Sequence, residues 1–234
     1  VLDPLPDGFS GARDALHGLA EHVLAPFRYR ADGHIGLVPT PSGFGTPVLA
    51  NGERVRVEGV ELVHERPGTT TRIGLTTLGT AAQFVDVALG LPSGLYEPAT
   101  PCAPDLSVAV DPVAARALAA WLAFDAALLN ELRERYAAQP STTPTLWPEH
   151  FDLALELGMA ETGTRANYGA SPGDQTIAQP YLYVGPWDAS RCTGRLASYP
   201  FGAAITYDEL LAAGDRSAGT GFFAECAGLM LGSP

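Results

Sequence analysis

Residues 146–158 read LWPEHFDLALELG, residues 167–174 NYGASPGD and residues 180–188 PYLYVGPWD. From Phe151 to Leu157 every odd position is large and apolar. As a strand, this places Phe151, Leu153, Leu155 and Leu157 on one face and His150, Asp152 and Glu156 on the other. The same alternation in residues 181–187 sets Leu182 and Val184 against Tyr181, Tyr183 and Trp187, until Pro186 disturbs the period. Laid in one sheet with their aliphatic sides together, the two strands gather an imidazole, two carboxylates and three amphipathic aromatics on the opposite face. Between them SPGD, residues 171–174, predicts a tight turn, with Pro172 at the corner, a permissive Gly173, and Asp174 projecting beside the strand ends.

Outward from this region the pattern is mixed. Apolar residues from Phe9 to Phe27 recur at helical spacing and predict an amphipathic helix over residues 10–27 whose end is framed by Pro26. His17 and Glu21, four apart at the edge of that stripe, read as a surface pair rather than as two metal ligands. From Phe44 the period becomes two. Asn51-Gly52, Gly59 and Pro67-Gly68 punctuate an antiparallel meander whose buried face carries Val55, Val57, Val60, Leu62, Ile73 and Leu75. A helix over 77–89 follows, then a long connection rich in proline and glycine over 91–107.

Residues 112–136 predict the longest helix: Asp111 caps it, Pro112 fits its first turn, and Leu118, Trp121, Leu122, Leu128, Leu129 and Leu132 form its buried stripe. The chain returns to helix over 207–213 and 219–231. The expected fold class is therefore α+β, with antiparallel sheets in both halves packed with the long central helix and C-terminal helices. The expected organisation is a single domain over residues 1–234, with structural halves 1–138 and 139–234.

Composition narrows the chemistry. The 234 residues carry a net charge of −12 with fourteen Arg and no Lys. Without lysine there is no internal aldimine, no lysine Schiff base and no P-loop lysine. The acidity opposes binding to nucleic-acid backbones and favours neutral or cationic ligands. Cys102, Cys192 and Cys226 form neither a disulfide framework nor a zinc-ribbon spacing, and reduced thiols in a cytoplasm are the simplest reading. The N-terminal VLDPLPDGFSGARD lacks the basic start and apolar run of a signal peptide. The apolar stretch 117–129 is interrupted by Asp125 and is short for a membrane span.

Gly169-Ala170-Ser171-Pro172-Gly173 matches G-x-S-x-G only as a string. A nucleophile elbow needs the backbone N–H after the serine, which Pro172 lacks, and a histidine after the serine, whereas the last histidine is His150. A glycosidase pair among Asp152, Glu156 and Asp174 depends on a separation that sequence does not give.

The words WPEHFD, SPGD and PYLYVGPW, in that order, resemble a bacterial domain-of-unknown-function pattern and, over residues 146–187, the DUF5996 group. The resemblance implies a similar local fold and a shared site on Trp147, His150, Asp152, Ser171, Asp174, Tyr181 and Tyr183, with no particular activity. This chain has Glu149 where the pattern would have histidine and Gln179 where it would have glutamate.

The leading expectation is a soluble protein that binds a small neutral or polyhydroxylated ligand through Trp147, His150, Asp152, Asp174, Tyr181, Tyr183 and Trp187, without a cofactor. The second is a metal-assisted hydrolase or isomerase with His150, Asp152 and Asp174 on the ion and Glu149 or Glu156 as base. The third is a structural or homo-oligomerisation role for the same aromatics. Neither a nucleic-acid nor a membrane partner is expected.

Overall fold

The computed structural model describes residues 2–214 and 216–232. It has the predicted α+β architecture, with antiparallel sheets, a long central helix and C-terminal helices. The chain divides into two compact units. One comprises Leu5–Ala123 and Thr145–Phe151; the other comprises the described residues of Val1–Pro4, Phe124–Pro144 and Asp152–Pro234. The boundaries thus fall inside the long helix and between Phe151 and Asp152.

The first unit begins with α1 (Phe9–Leu19), a π-helical turn (Ala20–Leu24) and α2 (Ala25–Asp32), wound as one continuous helix. Pro26 therefore does not end the helix, contrary to the sequence reading. Proline lacks the N–H that would bond the His22 carbonyl, and the wider π turn just before it absorbs the irregularity. The freed His22 carbonyl instead accepts the Gly90 N–H at 3.0 Å. Gly33, at φ 76°, closes α2.

Glu21, expected at the surface, is fully buried within the π turn. One of its oxygens accepts the Ala99 N–H at 3.0 Å; the other accepts the Thr100 N–H at 2.8 Å and the Thr100 hydroxyl at 2.5 Å. The proline-rich connection is thereby stapled to the helix through a charged acceptor. His17 stacks on Phe151 with centroids 5.1 Å apart and bonds the Pro148 carbonyl at 2.8 Å. Burial lowers its pKa, against the opposing influence of the Glu21 charge.

The meander is β1 (Val38–Thr40), β2 (Gly43–Gly45), β3 (Arg54–Glu58), β4 (Glu61–Arg66) and β5 (Thr69–Gly74), paired in that order. Gly59 and Gly68, at φ 61° and 76°, supply the left-handed turn positions expected there. Val55, Val57, Leu62 and Leu75 are buried, and Val60 and Ile73 are half-buried. Helix α3 (Leu78–Phe84), capped by Thr77, is shorter than predicted, because Asp86 adopts a positive φ of 53° just beyond it.

Helix α4 (Pro112–Arg135) runs from one unit into the next, and its six predicted stripe residues are all buried. By length and composition it could cross a bilayer, but half of its most apolar stretch is buried inside the protein, as in a core helix. In the first unit, β6 (Thr145–Trp147) bridges Leu37 through reciprocal Leu37–Leu146 hydrogen bonds of 2.8 and 2.9 Å.

The second unit contains β7 (Asp152–Leu157), β8 (Ala166–Ser171), β9 (Tyr181–Pro186) and β10 (Ala203–Thr206), with neighbours antiparallel in the order β10-β9-β8-β7. Leu153, Leu155, Tyr168, Ala170, Leu182 and Val184 form the fully buried apolar face. Helices α5 (Tyr207–Ala213) and α6 (Ser217–Leu231) complete the unit, and Phe223 of α6 meets the Tyr168 ring edge-on at 6.0 Å. Gly219 permits the close approach of α6: a Cβ there would lie 2.7 Å from Leu128 of α4 and 3.2 Å from Leu182 of β9.

The Glu21 staple predicts that Glu21→Gln lowers stability by about 1–3 kcal/mol, because the amide sets a donor against donors already in place. Urea denaturation checks this, and limited proteolysis should show earlier cleavage within residues 91–107. Unchanged stability and cleavage would refute the role.

Candidate functional site

The face of the second sheet opposite its apolar side is built by strand alternation. Asp152, Ala154 and Glu156 come from β7; Asn167, Gly169 and Ser171 from β8; and Tyr181, Tyr183 and Gly185 from β9. Register sets Ala154 beside Gly169, Gly169 beside Tyr183 and Ser171 beside Tyr181. The small residues let the Tyr183 ring lie across β8. A Cβ on Gly169 would stand 3.0 Å from Tyr183 Cε1, 2.8 Å from the Ala154 Cβ and 2.7 Å from the Leu153 carbonyl oxygen.

The Tyr183 hydroxyl, reaching over Gly169, donates to Asp152 Oδ2. The Tyr181 hydroxyl donates to Asp174 Oδ2 at 2.5 Å, while Asp174 Oδ1 accepts the Thr176 and Ile177 N–H groups at 2.6 and 2.9 Å. Ser171 Oγ accepts the Gly173 N–H at 3.1 Å, forming the expected turn. Asp174 is thus both the organiser of that turn and the acceptor for Tyr181. Burial, reinforced by the Asp152 charge, pushes the Tyr183 phenol pKa well up; burial and then Asp174 do the same at Tyr181. Both phenols remain donors.

Phe201 roofs part of this face. It lies 5.9 Å from Tyr181 in a stacked arrangement and 6.2 Å from Tyr183 edge-on, and Tyr199 stacks on its far side at 5.5 Å. Trp187 stands beyond the strand end, 55% exposed. The Arg165 guanidinium lies 4.0 Å from its ring, and its Nε1 donates to Asn167 Oδ1 at 2.9 Å. Glu156 is paired with Arg165.

The structure adds Asp125 of α4, which the sequence reading treated only as an interruption of an apolar run. Its exposure is 0%, and neither carboxyl oxygen has a hydrogen-bond partner among the described residues. Burial first, and the charge of Asp152 second, raise its pKa well above the carboxylate range. Asp152 itself is 6% exposed. A carboxyl whose neutral form is favoured, beside a carboxylate that already holds a phenol, can donate a proton or receive a donor-rich ligand.

Trp147 and His150 belong to the other unit. Phe151 is not the first residue of the strand: its φ is +53° and its N–H bonds the Trp147 carbonyl at 2.7 Å, so the alternating period starts only at Asp152. His150 accordingly sits in the preceding turn instead of on the Asp152 face, with its side chain 74% exposed and 3.8 Å from Glu149. Trp147, 40% exposed, lines a groove of about 310 Å³ with Arg28, Tyr29, His34, Leu95 and Thr145. Among the described residues no group of three or more His, Cys, Asp or Glu side chains is arranged to hold a metal ion, so the ligand set His150, Asp152 and Asp174 lacks geometric support. No protein-family model, curated protein or solved structure matches the chain.

Two outcomes follow from this geometry. Gly169→Ala should displace the Tyr183 ring, break its bond to Asp152 and change the near-ultraviolet tyrosine circular dichroism; an unaltered spectrum would contradict the packing. At Asp125, the folded state binds the proton more tightly than the unfolded state, so its contribution to stability is present at low pH and lost as pH rises above the ordinary carboxyl range. Between pH 4 and 7 the wild type should therefore lose stability relative to Asp125→Asn, as measured by denaturant titration. Parallel pH profiles would contradict this.

Proposed function

We propose that the second unit is a binding module for a small ligand rich in hydrogen-bond donors, a polyol or a small amine, taken on the face of Asp125, Asp152, Asp174, Tyr181 and Tyr183 with Trp187 at its rim. The observation carrying this reading is Asp125: a fully buried carboxyl whose two oxygens have no hydrogen-bond partner among the described residues is costly, and a donor from a ligand relieves that cost. Tyr181 and Tyr183 have spent their hydroxyl protons on Asp174 and Asp152. They therefore offer ring faces and fixed carboxylates to a ligand. The DUF5996 resemblance belongs to the same reading, since Asp152, Ser171, Tyr181 and Tyr183, which it singles out, share this sheet face. A cytoplasmic location, with all three cysteines reduced, completes the proposal.

A structural role is the second reading, favoured by the mutual stacking of Tyr181, Phe201 and Tyr199 against Ile177 and Ala204. Thermal-shift titration with myo-inositol, sorbitol and putrescine separates the two. The binding reading expects at least one to raise Tm in the wild type and to lose its effect in Tyr183→Phe. A wild type that responds to none of the three, with Tyr183→Phe merely less stable, would favour the structural role.

A further inference from the structure

We infer that the ligand of this face is a small organic cation, a protonated amine, whose ammonium group is received by the Asp125 carboxyl beside Asp152. The inference rests on the binding reading above and names its ligand class. Three observations lead to it. First, Asp125 stands within the apolar stripe of α4, between Trp121 and Leu122 on one side and Leu128 and Leu129 on the other. An aliphatic residue there would complete the core, whereas a carboxyl whose oxygens have no hydrogen-bond partner among the described residues leaves acceptors open to a group of another kind.

Second, the titratable groups acting on and around Asp125 are acidic: Asp152 on β7 bears on it directly, and Tyr183 and Tyr181 on β9 adjoin Asp152. A neutral polyol satisfies hydrogen bonds but leaves Asp125 in its neutral form beside the Asp152 charge; an ammonium group supplies donors together with a counter-charge that lets both carboxyls ionise. Third, the neighbouring surface is aromatic. Tyr181, Tyr183 and Phe201 have centroids 5.9–6.2 Å apart and turn ring faces and edges to one another. Such surroundings accept the methylenes and the charge of an alkylamine.

The step balances in protons and charge. The neutral Asp125 carboxyl releases its proton to solvent as the ammonium enters, so one positive charge is exchanged for another and no bond to carbon changes. Binding and proton release are therefore linked. Affinity should climb about tenfold per pH unit below the raised Asp125 pKa, as long as the amine stays protonated.

The test is isothermal titration of the full chain with putrescine and separately with myo-inositol, in phosphate and in HEPES, whose ionisation heats differ. The expected result is putrescine binding with about one proton released per ligand, and loss of at least tenfold in affinity in Asp125→Asn, with circular dichroism confirming the fold of that variant. The proton count is measured on the wild type and so does not depend on the variant folding. Putrescine binding without proton release, or with undiminished affinity in a folded Asp125→Asn, overturns the inference. Binding of myo-inositol with no binding of putrescine also overturns it and leaves the binding reading standing. If neither binds, both fall.

Discussion

The burial of Asp125 in the stripe of α4 is the constraint on which the second unit turns. Its neighbours along that stripe, Trp121, Leu122, Leu128 and Leu129, are each no more than 2% exposed, and so the helix cannot rotate Asp125 to water without exposing them. The carboxyl stays inside, where desolvation first and the Asp152 charge second favour its neutral form. An acid kept neutral in this way is a common feature of ligand and catalytic sites, and structural networks also produce it. What distinguishes this one is that neither oxygen has been given a partner among the described residues.

The rest of the face is arranged around Asp152. Phe151, in a left-handed turn, places its ring against His17 and Phe44 in the first unit, so the strand of the second unit begins at Asp152. Gly169 then leaves the space across which the Tyr183 phenol reaches that carboxylate. Aromatic packing by Phe201 holds the two tyrosine rings in fixed relation. Backbone conformation, a missing Cβ and ring stacking thus cooperate to hold the Asp152 carboxylate and the two tyrosine rings in fixed relation. The first unit solves a different problem with similar means. A proline-induced π turn frees a carbonyl for Gly90, and Glu21 within it fastens the following connection.

Much of the fold was legible in sequence because its elements carry strong periods. The meander announced itself through Gly59 and Gly68 at its turns, and α4 through a stripe whose six named members are all buried. The opposing face of Tyr181 and Tyr183 followed from alternation alone. What sequence missed depends on groups that a period cannot show. The continuation of the first helix past Pro26 required Gly90, 68 positions beyond His22, to take up the released carbonyl. Glu21 looked like a surface residue because its three donors come from Ala99 and Thr100. The placement of His150 failed at Phe151, whose positive φ no bulky side chain advertises. Asp125 did leave a signal: residues 118, 121, 122, 125, 128, 129 and 132 follow one helical stripe, and a carboxyl at its centre is a buried polar group in the making.

The most direct measurement of the central claim is a carboxyl-carbon NMR titration of protein labelled at aspartate, with the Asp125 resonance assigned by its absence from Asp125→Asn. The account predicts an Asp125 carboxyl that titrates well above the ordinary carboxylate range. An Asp125 that titrates within the ordinary carboxylate range would contradict it.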